Sequence, residues 1–297
     1  MTGTTDASRP RRSVLYMPGS NARALDKART LPADALILDL EDAVAPDAKA
    51  AARQLVCDAV RAGGYGPREV VIRVNAQGTP WFEADLRAAV GAGPDAILLP
   101  KIEMAAALRD ISARVDALGA SPPPRLWAMI ETPLAVLNAS AIAAAARALD
   151  RQPLAAFVIG TNDLARETGA RQVAGRAPML AWLSHCVAAA RVHGLDVLDG
   201  VYNNIADEAG LRAECEQGRD FGFDGKTLIH PGQIAVCNAV FSPDESEIAW
   251  ARKIIAAFAL PGNAGKGALH LEGRMVERLH AGMAAKTLAK AAAVAGR

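Results

Sequence analysis

The chain has 297 residues, 51% of them hydrophobic and 22% charged, which supports a large buried core and excludes a disordered chain. Lys and Arg number 33 against 32 Asp and Glu, a formal charge of +1, which excludes the basic footprint of a nucleic-acid or anionic-membrane binder. No apolar run approaches the roughly 20 residues of a membrane span, the polar start MTGTTDASRPRR is not followed by a signal-peptide core, and the four cysteines are scattered, so a cytoplasmic protein with free thiols is expected.

Residues 1–12 read as a flexible terminus. Residues 13–17 then form a first strand, closed by Pro18-Gly19, and a helix runs over 20–31 with Ser20 or Asn21 as its N-cap. A second strand at 35–40 ends in Glu41-Asp42, and a helix follows over 46–62. The third strand is 69–75 with a helix over 80–91, and the fourth is 96–101 with a helix over 103–118. Trp127 to Ile130 run straight into Glu131, and Pro133 stops the element. A short apolar run ended so abruptly reads as a buried parallel strand. Ala-rich residues 134–149 make one helix, since Ala has the best helix propensity. A sixth strand, 156–159, runs out to Asp163. A loop leads to a helix over 177–193, then come a strand at 195–199, a helix over 205–219, and a last strand at 225–231.

Strand and helix thus alternate at roughly 25–35 residues per unit, the length of a βα repeat, which implies a parallel sheet. Eight such units fit a closed (β/α)₈ TIM barrel over 13–259 better than an open doubly wound sheet. The glycine fingerprint of a dinucleotide fold is also missing after the first strand. Residues 260–297 read as a C-terminal helical extension. Gly262, Gly265 and Gly267 would hinge it, and it would serve as a lid.

Chemistry in such a barrel sits at the C-terminal ends of the strands. The polar residues there are Asp39, Glu41, Asp42, Arg73, Lys101, Glu131, Asp163, Asp199 and His230. Glu131 and Asp163 form a pair of carboxylates suited to Mg²⁺, although either alone could simply cap the following helix. Arg73 inside Val-Ile-Arg-Val-Asn needs an anion, such as a substrate carboxylate or a developing oxyanion. Asp39, Glu41, Asp42, Lys101 and Asp199 are expected to support the site through hydrogen bonds. A Mg²⁺ site takes only one or two carboxylates directly. His230, ahead of Pro231, reads as a loop anchor.

These stretches resemble the citrate lyase β-subunit-like family, which includes malyl-CoA and citramalyl-CoA lyases. The matching segments are Arg12–Gly19, Leu38–Val44, Ile72–Asn75, Leu99–Lys101, Ile130–Thr132, Asp163–Leu164 and Gly225–Pro231, in order along nearly the whole chain. The resemblance implies a Mg²⁺-dependent carbon–carbon lyase acting on a 3-hydroxyacyl-CoA dicarboxylic acid. Two alternatives are a malyl-CoA-type thioesterase and a subunit acting on a carrier-protein thioester. The resemblance also implies Glu131 and Asp163 as metal ligands, with Glu131 facing substrate as well. Arg73 would be a catalytic and substrate-binding residue, with Tyr16, Arg23 and Lys27 on the substrate and CoA side. It implies a homotrimer or hexamer in which the C-terminal segment covers a neighbour's site. Members of the family carry an aspartate in a Met-Ile/Val-Asp-x-Pro stretch of that segment. Here the stretch reads Met275-Val276-Glu277-Arg278-Leu279, which makes Glu277 the expected catalytic acid, lengthened by a methylene and without its proline.

Overall fold

The structure is a computed structural model and describes residues 9–146, Leu149 and 153–296. The flexible terminus expected for 1–12 therefore falls largely outside the described residues, as does part of the helix expected to reach 149. The chain divides into two compact units, one spanning Arg11–Ala239 and the other starting at Val240.

The first unit is a closed parallel barrel. Its elements are β1 (Ser13–Pro18), α1 (Ala22–Lys27), β2 (Ala35–Asp39), α2 (Lys49–Ala62), β3 (Glu69–Arg73), α3 (Phe82–Ala92), β4 (Ala96–Leu99) and α4 (Ala105–Ala117). Then come β5 (Arg125–Ile130), α5 (Pro133–Leu137), α6 (Ala139–Ala145), β6 (Leu154–Ile159), α7 (Thr161–Thr168), α8 (Leu180–Val192), β7 (Asp196–Asp199), α9 (Glu208–Phe221) and β8 (Gly225–Leu228), with α10 (Ile234–Phe241) at the boundary. Each strand pairs with the next, and β8 closes on β1 with Ser13 opposite Lys226. The expected TIM barrel is the fold observed.

Two local differences matter. The single Ala-rich helix is split into α5 and α6 at Asn138, whose Nδ2 donates to Glu103 O at 2.9 Å. And α7 begins directly after Gly160, where the sixth strand was expected to run on to Asp163 and a loop to follow.

The register explains which side chains line the barrel. Alternate residues along a strand face opposite sides. Val14, Ile37, Val71, Leu98, Trp127, Met129, Val158 and Leu198 meet in one buried cluster, so they mark the inward face. Fully burying a side chain of this kind contributes about 1.5–3 kcal/mol. Continued toward the C-terminal ends, the same inward phase selects Tyr16, Asp39, Arg73 and Glu131, then Gly160 and Gly200. Continued the other way it reaches Glu69 and Asp196. There Arg11 closes the floor, donating to Glu69 Oε2 at 2.7 Å and Asp196 Oδ2 at 2.5 Å, with its guanidinium 5.1 Å from the Trp127 ring centroid. One end of the lumen is thus sealed by paired charges, and the open chemistry lies at the other.

In the second unit, α11 (Glu245–Ala259) begins with a capping box from Asp244 and Glu247. It packs against a hairpin of β9 (Ala268–Leu271) and β10 (Arg274–Glu277) and against α12 (Arg278–Ala295), around Val276, Ile254, Ala251 and Ala284. The hairpin was not expected. Its two-residue turn is Glu272-Gly273, both at positive φ (47° and 79°), as a tight hairpin turn demands. α11 thus groups with the C-terminal segment in a compact unit that starts at Val240. The glycines expected to hinge that segment show no such backbone demand: none of Gly262, Gly265 and Gly267 has positive φ, and Gly267 O accepts the Arg278 N–H at 3.1 Å.

Candidate active site

Arg73 is the hub of the open end. It is buried on β3 beside Asp39 of β2, its register partner. Nε and Nη2 make a two-pronged pair with the Asp39 carboxylate, both at 2.6 Å, while Nη1 reaches Glu41 Oε2 at 2.9 Å and Asp42 Oδ2 at 3.1 Å. The half-buried Tyr16 ring lies under the guanidinium, 4.8 Å away. Burial works against the charge of Arg73, but Asp39 outweighs it, and the pKa stands well above its ordinary value. Burial raises the Tyr16 phenol, which stays protonated.

Glu131 follows β5 and is buried. Its Oε1 accepts the Lys101 backbone N–H at 2.8 Å. Lys101 holds that position at φ 51°, a left-handed conformation that costs a non-glycine residue about 1–3 kcal/mol and recurs at functional sites. Opposite it stands Gly160, where a Cβ would collide with the Glu131 Cβ and lie 2.7 Å from Oε2. β6 thus leaves its inward position empty for the carboxylate of β5. Thr132 Oγ1, and not Glu131, accepts the Ala135 N–H that starts α5, at 3.1 Å. Asp163 comes from the first turn of α7, half-buried and paired with Arg166.

The electrostatics follow from crowding. Burial, together with Glu41 and Asp163, pushes the Glu131 carboxyl up to about 8. Burial and the neighbouring Asp42 and Asp39 push Glu41 up to about 7, against the pull of Arg73. Both groups lack an adequate counter-charge, because the strongest bonds of Arg73 go to Asp39.

The chain matches the HpcH/HpaI aldolase/citrate lyase family model over residues 12–231. It is 52% identical over 286 residues to a (3S)-malyl-CoA thioesterase of Cereibacter sphaeroides, covering 96% of both chains. It is 32% identical to an L-malyl-CoA/beta-methylmalyl-CoA lyase of the same species, covering 91% of each. Among solved structures it is similar to the CitE protein of Mycobacterium tuberculosis in complex with magnesium, acetoacetate and coenzyme A. That likeness has a TM-score of 0.75 at 31% identity and covers 96% of this chain and 99% of that one.

The chain belongs to the HpcH/HpaI aldolase/citrate lyase family.

The family's Mg²⁺ fits these residues. Among the described residues no cage of three or more His, Cys, Asp or Glu side chains is preformed. Mg²⁺ does not need one, since it takes one or two carboxylates and fills its octahedron with water and substrate oxygens. A buried carboxylate driven to about 8 beside a second one, with room cleared by Gly160, is an environment that a divalent cation would relieve.

The structure gathers Tyr16, Asp39, Glu41, Asp42, Arg73 and Glu131 at one end of the barrel, with the Lys101 backbone bonded to Glu131. Asp163 is electrostatically coupled to the group through Glu131. Asp199 does not join them. Its neighbour Leu198 faces inward, so Asp199 points to the helix layer. There it is fully buried between Arg176 (2.7 and 2.8 Å) and Lys226 (3.2 Å), which outweigh burial and lower its pKa. Arg23 and Lys27 are exposed on α1, one helical turn apart. His230 Nδ1 accepts the Gly232 N–H at 3.1 Å and anchors its loop. Glu277 belongs to the second unit, where it caps α12: its carboxylate accepts from the His280 backbone, and its own N–H donates to His280 Nδ1 at 2.9 Å. Lys49 was not anticipated. Its buried Nζ donates to Leu40 O (2.8 Å) and Glu41 O (2.6 Å), which shapes the turn that presents Glu41 and Asp42. Nothing in its place at the start of a helix marks it in the sequence.

Proposed function

We propose that the protein hydrolyses the thioester of a malyl-CoA-type acyl-CoA, one whose acyl chain ends in a 2-hydroxy carboxylate, in a Mg²⁺-dependent reaction. The observation that carries this reading is the 52% identity, over 96% of both chains, to a (3S)-malyl-CoA thioesterase. Glu131 and Asp163 would hold the ion, which when bound supplies a Lewis acid that orients the hydroxy carboxylate. Arg73 has one edge fixed by Asp39, so it meets a substrate oxygen at Nη1 in place of the exposed Asp42 carboxylate, and there it stabilises the negative charge that grows on the thioester oxygen as water adds. Glu41 stands 2.9 Å from that same nitrogen and takes the proton of the attacking water. The carbon–sulfur bond then breaks, the proton passes to the CoA sulfur, and malate and free CoA leave. Arg23 and Lys27 offer positive charge to the CoA phosphates. The exposed Met275, Leu279 and Met283 fit a homo-oligomer, the trimer or hexamer that the resemblance implies.

The test is incubation of the purified protein with malyl-CoA, Mg²⁺ and H₂¹⁸O, without any partner protein, read by mass spectrometry. Hydrolysis gives free CoA and malate labelled in one carboxylate. A second reading, carbon–carbon cleavage, is favoured by the 32% identity to an L-malyl-CoA/beta-methylmalyl-CoA lyase. It would give glyoxylate and acetyl-CoA in place of labelled malate and free CoA, and that outcome would replace the hydrolase reading.

A further inference from the structure

Three inward positions lie side by side at the open end of the barrel, after β5, β6 and β7, and only the first carries a side chain: Glu131, Gly160 and Gly200. Gly160 makes room for Glu131, as described. Gly200 makes room for something else. A Cβ there would lie 2.5 Å from Thr161 Oγ1, 2.7 Å from Thr161 Cγ2 and 3.0 Å from Ile159 O. Thr161 is buried and is the first residue of α7, two residues before Asp163. The first turn of α7 has no side-chain cap of its own, since its N-cap is Gly160. Thr161 is the side chain of that turn that rests against Gly200, beside the buried Leu164 and the Asn162 pair with Asn203.

The backbone at Gly200 is itself held. Its N–H donates to Asp199 Oδ1 at 2.8 Å, and Thr227 Oγ1 donates to Asp199 O at 2.9 Å. The Asp199 carboxylate is pinned in turn by Arg176 and Lys226, and Lys226 is also held by Glu214 Oε1 at 2.6 Å. Arg176 sits at φ 54°, in the segment that follows α7. A buried ion cluster in the helix layer, in which Arg176 Nη2 is left without a hydrogen-bond partner, therefore ends in a bare backbone seat, and the helix carrying Asp163 leans on that seat.

We infer that Gly200 and Thr161 form a size-matched contact that sets the position of Asp163 relative to Glu131, which makes them positioning residues for the Mg²⁺ site. The inference rests on the assignment of Glu131 and Asp163 as metal ligands and not on which bond of the substrate breaks. The experiment therefore measures metal binding without substrate, by calorimetry with Mg²⁺ and by the Mn²⁺ paramagnetic signal. Gly200→Ala crowds the seat and should weaken binding about tenfold, the lower end of what disturbing a ligand's support costs. Thr161→Ala leaves a gap and should weaken it about threefold. The double variant matches a small residue to the added methyl and should bind more tightly than either single variant. Such non-additivity marks a direct contact. A purely structural role would lower thermal stability without this pattern in affinity. Should Gly200→Ala not fold, Thr161→Ala against the double variant decides the matter. The inference is overturned if the double variant binds no better than Thr161→Ala, if Gly200→Ala binds like the wild type, or if the wild type binds no metal.

Discussion

Glu131 and Glu277 are both glutamates where a strand gives way to a helix, and the two units of the molecule use them in opposite ways. In the barrel, capping of α5 falls to the next residue, Thr132, so the Glu131 carboxylate is left buried and pushed up to about 8. In the C-terminal unit no such neighbour exists. Glu277 ends β10 and caps α12 itself, locked reciprocally with His280. A carboxylate is available for chemistry when another residue satisfies the helix, and it is spent when it must do so itself. Asp39 is an intermediate case: it is buried at the rim, but both its oxygens are taken by Arg73 and by the Glu41 and Ala43 N–H groups at 2.8 and 3.0 Å.

The largest effect that would break this comparison is at Glu131. Glu131→Gln keeps the shape and removes the charge. It should abolish measurable Mg²⁺ binding and cut Mg²⁺-dependent turnover on the order of a thousandfold. Metal stabilisation is worth several kcal/mol, and each 1.4 kcal/mol is a factor of ten. Near-normal turnover would remove Glu131 from the metal site.

Next is Arg73. A lysine cannot make the two-pronged pair with Asp39 while also reaching Glu41. Arg73→Lys should lower kcat/KM about a hundredfold, in line with the 1 Å misplacement it imposes. If kcat and KM both stayed near normal in steady-state assays, Arg73 would be a structural tie for Asp39 only.

The pH dependence is a smaller, graded effect. The Glu131 carboxyl stands at about 8 in the folded protein against an ordinary 4.5. Below 4.5 both folded and unfolded chains hold the proton. Between 4.5 and about 8 the unfolded chain has released it while the folded chain keeps it. The metal-free protein should therefore lose stability as pH rises through that window and level off above it. Mg²⁺ must displace the same proton, so its affinity should rise with pH by up to about tenfold per unit, flattening near 8. Calorimetry at several pH values in buffers of different ionisation enthalpy reads the proton release directly. A flat affinity between pH 5 and 8 would mean that Glu131 is already ionised.

The barrel was legible because parallel strands covered on both faces read as unbroken apolar runs, such as residues 126–130 before Glu131. Arg73 and Glu131 stood out because a charge inside or at the end of such a run demands a partner. Strand phase was not legible. Asp199 ends its strand as plainly as Glu131 follows its own, but only the barrel register shows that Leu198 points inward and Asp199 outward. Nor was α7: with eight residues, a polar composition and a glycine at the cap position it carries no start signal, so Asp163 was read as the end of a strand. The C-terminal hairpin hides its turn in Glu272-Gly273, behind a more conspicuous glycine cluster upstream that supplies no positive φ.

The smallest expected effect sharpens the comparison from the other side. Glutamate is not among the favoured N-cap residues, whereas aspartate is. If the role of Glu277 is the one seen, Glu277→Asp should preserve the cap or improve it, and Glu277→Ala should cost about 1 kcal/mol locally. Amide hydrogen exchange in the first turn of α12 would show this as faster exchange in the alanine variant only. Turnover should stay within about twofold in both. A tenfold or larger fall in kcat for Glu277→Ala, with Mg²⁺ affinity unchanged, would instead make Glu277 the acid that the family resemblance implies. It would also show that the His280 lock opens when substrate is bound. The pairing itself offers the control. His280→Ala removes the acceptor of the Glu277 N–H while leaving the carboxylate, so it should loosen the same helical turn without touching kcat if capping is the whole role.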